Sequence, residues 1–228
     1  ELKSIPRKLN TNYKLTDKYS LDKGRVFLTG TQALVRLPII QRKIDQSNGI
    51  NTACYISGYT GSPLGGYDHA LNQASDFLDE NEIVFQPGIN EDLAATALHG
   101  TQQTTLVEKP KYDGVFGIWY GKEPGVDRSG DALKHGNYAG TSEYGGVLAL
   151  AGDDHGAKSS TTAHQSDHAF IHFGMPILNP STVQDYLDFG VLGFAMSRYS
   201  GCWVGFKCVT DTVESAASVD ISLDRVYG

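Results

Sequence analysis

Cysteine is scarce in this chain of 228 residues: only Cys54, Cys202 and Cys208 occur. An odd count with no Cys-x-x-Cys pair excludes a disulfide framework, a zinc ribbon and a local iron–sulfur motif. It fits a reducing, cytoplasmic compartment. Basic charge is also short, with 19 Lys and Arg against 26 Asp and Glu, a formal net charge of -7. That excludes a basic nucleic-acid face. Nothing approaches the roughly 20 apolar residues of a membrane-spanning helix, and the first fifteen residues hold no apolar run, so no secretory signal is read there. The first residue is Glu rather than Met, and the expectation is a piece of a longer polypeptide.

The rest of the composition is ordinary for a globular domain. Hydrophobic residues make up 40% and charged residues 20%, which suffices for a real core. At roughly 150 residues per domain, the length allows one or two domains. Residues 1–23 are polar and read as an N-terminal arm. From residue 24 to 228 the chain reads as one α/β domain. Short apolar runs at Val26–Leu28, Ala53–Ser57, Ile83–Phe85, Val115–Tyr120, Gly146–Ala151, Pro176–Leu178 and Cys202–Val209 read as strands. Helices are expected over 31–44 (with Pro38 as a kink), 65–78, 91–107, 127–143, 165–173 and 182–199. Trp119 and Phe173 are read as core. The alternation predicts a mainly parallel sheet with helices on both faces. In such sheets ligands bind beyond the carboxyl ends of the strands.

Familiar motifs fail on inspection. Around Ser62 the nucleophile elbow G-x-S-x-G is broken by Thr60 and Leu64. Gly152 to Ser159 approaches the phosphate loop G-x-x-x-x-G-K-[ST]. Ala157 replaces its second glycine, however, and Asp153 and Asp154 stand where phosphate belongs. His164, His168 and His172 share a helical face, but positions eight apart lie about 12 Å apart, too far for one ion. A metal-dependent hydrolase using His155, His164 and His168 stays as one alternative, and a non-catalytic structural subunit of the same fold as another.

Four polar, glycine-containing segments remain, each after an expected strand: 58–67, 87–94, 122–137 and 152–167. Glu91 opens a helix, where an acid favours the macrodipole or serves a ligand. Ser62 reads as a helix cap or an anion contact. Arg128 reads as a surface residue or as a carboxylate partner.

Gly58–Asp68, Phe85–Gln103, Lys122–Ser142 and Gly145–Asp167 resemble, in the same order, the N-terminal segment of the indolepyruvate:ferredoxin oxidoreductases. The match is to long fused members of that thiamine-diphosphate-dependent 2-oxoacid oxidoreductase family. The resemblance covers roughly residues 20–220 and implies the pyrimidine-binding domain of a thiamine enzyme. It implies that Glu91 is catalytic and hydrogen-bonds the aminopyrimidine. It puts Gly61, Asp154, His155 and Gln165 near the cofactor, and Ser62, Arg128 and His164 near the substrate. The implied reaction is oxidative decarboxylation of an arylpyruvate such as indolepyruvate to an acyl-CoA and CO2, with electrons passing to ferredoxin or another acceptor. The sequence has no G-D-G…Asn-Asn segment for Mg²⁺ and the diphosphate, and no cysteine cluster for [4Fe-4S] centres. A pyrophosphate-binding domain and the clusters are therefore expected elsewhere in the assembly. A homodimer is expected, and these residues alone are expected to be inactive.

Overall fold

The computed structural model describes residues 12–223. A helical turn, α1 (Asp17–Ser20), precedes β1 (Arg25–Thr29) and the long α2 (Gly30–Ser47). Then come β2 (Thr52–Gly58), α3 (Tyr67–Gln73), α4 (Ser75–Glu80), β3 (Ile83–Phe85) and α5 (Glu91–Thr101). The middle of the chain forms β4 (Gly114–Lys122), α6 (Glu123–Arg128), α7 (Gly130–Ala139) and β5 (Val147–Asp153). It ends with α8 (Asp167–Phe173), β6 (Ile177–Leu178), α9 (Val183–Ser200), β7 (Val204–Val209), α10 (Thr210–Val213) and β8 (Ala216–Asp220).

Six strands form one wholly parallel sheet in the order β3-β2-β4-β5-β7-β6. Side chains alternate across it. Phe116, Ile118, Tyr120, Leu148 and Leu150 face the layer of α2, α3, α4 and α9. Trp119, Val147, Ala149 and Ala151 face α5, α6, α7 and α8. The second face carries small residues, which lets its helices pack close: a Cβ on Gly117 would lie 2.5 Å from Leu98 of α5. The expected architecture is therefore present.

Several boundaries differ from expectation. Val26 and Leu28 do not join the main sheet. β1 pairs antiparallel with β8, a strand missed because Ala216–Asp220 has little apolar pattern. Cys202–Val209 is therefore not the last strand. Pro38 does not break α2. Proline leaves the carbonyl four residues back without its donor, and the buried Tyr67 hydroxyl donates to that Leu34 carbonyl at 3.4 Å. The expected helix over 127–143 begins earlier and splits at Ser129 into α6 and α7. The expected 91–107 helix stops at Thr101. Of the arm, residues 12–23 are described: Tyr19 is buried against Phe77, and Arg36 donates to the Lys18 and Leu21 carbonyls.

Asp45 joins the layers away from any cleft. Its carboxylate accepts both terminal nitrogens of Arg198 at 2.7 and 2.8 Å, and it also accepts from Gln41 and Thr52. Removing one partner of a buried pair strands the other charge. Asp45→Ala is expected to cost about 3–5 kcal/mol in urea unfolding. Lys158→Ala, which breaks an exposed pair with Asp211, should leave the midpoint unchanged.

Candidate active site

The topology chooses the place. From β2 the chain turns outward to the edge strand β3, and from β4 it turns the other way to β5. The loops after β2 and β4 diverge, and a crevice opens at their carboxyl ends. Two main-chain bonds gather the three loops around it. Gly88 N–H donates to the Gly58 carbonyl at 2.8 Å, and Tyr59 N–H donates to the Tyr120 carbonyl at 3.0 Å. The resulting cleft of about 400 Å³ is lined by Tyr59, Gly61, Ile89, Glu91, Lys122 and Arg128, among others.

Glu91 is the first residue of α5, behind an Asn90 cap whose side chain accepts from Leu93 N–H at 2.9 Å. The Trp119 indole donates to the Glu91 carbonyl at 3.0 Å. Trp119 is thus core, as expected, and it also anchors Glu91. The Glu91 carboxylate has no hydrogen-bond or ionic partner among the described residues. It lies against Gly125, where any Cβ would come within 2.7 Å of Oε1. An acid without a partner beside a wall bare of side chains fits a flat, hydrogen-bonding ring such as an aminopyrimidine.

Gly61 and Arg128 share this cleft with Glu91. Arg128 is more than half exposed and pairs with Asp92 at 3.4 Å. Ser62 sits in the 59–66 loop, but it does not cap a helix: α3 begins at Tyr67 with Gly66 in the cap position. Pro63 and Leu64 instead lie over Gly152 at the end of β5.

The remaining expected residues lie around the loop after β5. His155, His164 and Gln165 line a separate hollow of about 220 Å³. Asp154 faces its own loop. It accepts from Lys158 N–H at 3.0 Å, Ser159 N–H at 2.9 Å and the Ser160 hydroxyl at 3.0 Å. The Ser159 N–H leads in holding its pKa down to about 2; burial opposes this, and the Lys158 N–H and serine hydroxyls reinforce it. In the near-match to a phosphate loop, a carboxylate occupies the anion position. Asp153 is fully buried and accepts from Ser166 N–H and hydroxyl at 3.0 and 2.6 Å. Buried Lys207 stands 3.3 Å from Asp153 and 2.5 Å from Asp167. His168 is exposed on α8, and no three metal-ligating side chains converge among the described residues. The hydrolase alternative therefore finds no ligand set there.

Sequence reasoning passed over Glu123. It is buried at the start of α6, and His164 Nδ1 rests against its carboxyl. His164 Nε2 lies 3.0 Å from the Thr162 hydroxyl. Burial first, then the carboxylates of Asp127 and Asp153, push the Glu123 pKa up to about 7. The signal available in the sequence was its place, three residues past the expected Val115–Tyr120 strand. A raised carboxyl pKa favours the folded state fully at low pH, and that contribution fades as pH rises from about 4.5 through about 7. Glu123→Gln should flatten the fall of Tm across that window, as measured by thermal melts at pH 5 and pH 8.

No protein-family model and no curated protein matches the chain. Among solved structures it is similar to 2-oxoglutarate:ferredoxin oxidoreductase from Magnetococcus marinus with 2-oxoglutarate, coenzyme A and succinyl-CoA bound. The TM-score is 0.61 at 12% identity. The likeness is one of fold. The match covers 86% of this chain and 31% of that one, so the chain spans under a third of its neighbour's length. No helix of the described residues is long and apolar enough to cross a membrane.

Proposed function

We propose that the chain is the pyrimidine-binding domain of a thiamine-diphosphate-dependent 2-oxoacid:ferredoxin oxidoreductase. The observation that carries this is the Glu91 carboxylate, held without a partner against Gly125 at the β2–β4 crevice. The fold likeness to an oxidoreductase bound to 2-oxoglutarate and coenzyme A supports the general class. The resemblance of the four loop segments to indolepyruvate:ferredoxin oxidoreductases supports the finer reading, an arylpyruvate substrate. Tyr59 and Ile89 add apolar wall to the cleft.

In this reading Glu91 accepts a hydrogen bond from the aminopyrimidine ring or shares a proton with it. The Trp119 indole holds its backbone carbonyl, and the Asn90 cap fixes the helix start from which its side chain projects. Gly121 and Gly125 keep the approach free of side chains. When bound, thiamine diphosphate supplies the carbanion and the electron sink that decarboxylation needs. Tyr59, Thr60 and Gly61 line the cleft from the loop after β2, and this reading puts Ser62, the next residue, near the substrate. His155, His164 and Gln165 contribute from the loop after β5. Mg²⁺, the diphosphate site, the [4Fe-4S] clusters and the contacts to coenzyme A and ferredoxin belong to other domains or subunits in a dimeric assembly.

The test begins with the native parent protein, denatured and assayed for released thiamine diphosphate and metals. Near-stoichiometric thiamine diphosphate with iron is expected; neither would sink the reading. Glu91→Gln should lower turnover by about a hundredfold or more while circular dichroism stays unchanged. Gly125→Ala should produce a comparable loss, because its new methyl group displaces the carboxylate. A structural subunit of the same fold would show neither effect.

A further inference from the structure

The cleft holds two basic side chains, and they are not equivalent. Arg128 stands at the rim, more than half exposed, with its charge offset by Asp92. Lys122 comes from the floor as the last residue of β4. Its stem runs beside Gly61, where an added Cβ would lie 3.1 Å from the Lys122 Cβ and 3.7 Å from its Cδ. Its ammonium donates to the Ser159 carbonyl at 2.9 Å. That spends one of three donors. No carboxylate pairs with it among the described residues. Lys122 thus lines the cleft with its ammonium tied to one neutral carbonyl and facing no carboxylate among those residues.

We infer that Lys122 is the anion-holding residue of this cleft and that its ligand is the carboxylate of the 2-oxoacid substrate, an inference that rests on the functional reading above. Glu91 repels an anion from its own end of the same cleft. A ligand with one carboxylate is therefore turned with that group toward Lys122. The apolar Tyr59 and Ile89 lie along the same cleft, where a side chain can rest. A diphosphate calls for several donors or a metal ion, whereas this cleft offers one uncompensated ammonium.

The experiment uses the full-length holoenzyme with indolepyruvate and phenylpyruvate as probes. Lys122→Met should raise KM about ten- to a hundredfold, the range for a lost charge-assisted hydrogen bond. The turnover number should change less than KM, as removal of ground-state binding requires. Bound thiamine diphosphate should not change, and Lys122→Arg should recover most of the affinity. Lys158→Met, outside the cleft, should match wild type. An unchanged KM in Lys122→Met overturns the assignment. So does weaker thiamine diphosphate binding at unchanged KM, which would give the ammonium to a phosphate. If Lys122→Met does not fold, Lys122→Gln compared with Lys122→Arg decides by the same two readouts. A wild-type enzyme without thiamine diphosphate refutes the functional reading; a normal cofactor content with unchanged KM refutes only the role of Lys122.

Discussion

Everything at the carboxyl end of the sheet depends on how closely three backbones approach one another at Gly58. A Cβ there would lie 2.0 Å from the Tyr120 carbonyl, so no larger residue fits without parting β2 from β4. The Gly58 carbonyl in turn receives Gly88 N–H. The loop after the edge strand is thereby drawn inward, and α5 starts over the crevice rather than beyond it. Glu91 is where it is because Gly58 is small.

The same economy of side chains continues around the acid. Gly121 and Gly125 bracket the Glu91 side chain, and the Trp119 indole holds its carbonyl. Strand β4 therefore serves two roles at once. Its alternate residues fill both cores, and its last residue, Lys122, begins a wall of the cleft that α6 continues. Glu91 and Lys122 bring an acidic and a basic side chain to the same cleft, and the proposed reading uses that pair to orient a ligand before any chemistry begins.

The loop after β5 follows different rules. Its acids turn inward: Asp154 organises residues 158–160, and Asp153 joins Lys207 and Ser166 beneath it. Buried charges are tolerable only when paired and hydrogen-bonded, and here they are. The Lys122–Ser159 bond links this loop back to the cleft. Glu123, the first residue of α6, and His164 meet along the same seam.

Local pattern was enough for much of this. The apolar runs at 53–57, 115–120 and 146–151 are strands because only a sheet covered on both faces buries such continuous runs. Thr182 caps α9 through a reciprocal bond with Asp185, which its spacing announces. Glu91 was legible as the acid at the start of a helix after a strand. What tertiary structure alone decided is which loops meet. Strand order put the 58–66, 87–91 and 122–128 segments together and set His155, His164 and Gln165 in a hollow of their own. Pairing of β1 with β8 joins residues nearly two hundred positions apart, and neither strand signals the other in its own pattern. The direction of Asp154 was equally hidden, because a carboxylate beside four hydrogen-bond donors satisfies its own loop before it can serve a ligand. Charge type and spacing are written in the chain; which charges remain unspent is settled only when every neighbour is in place.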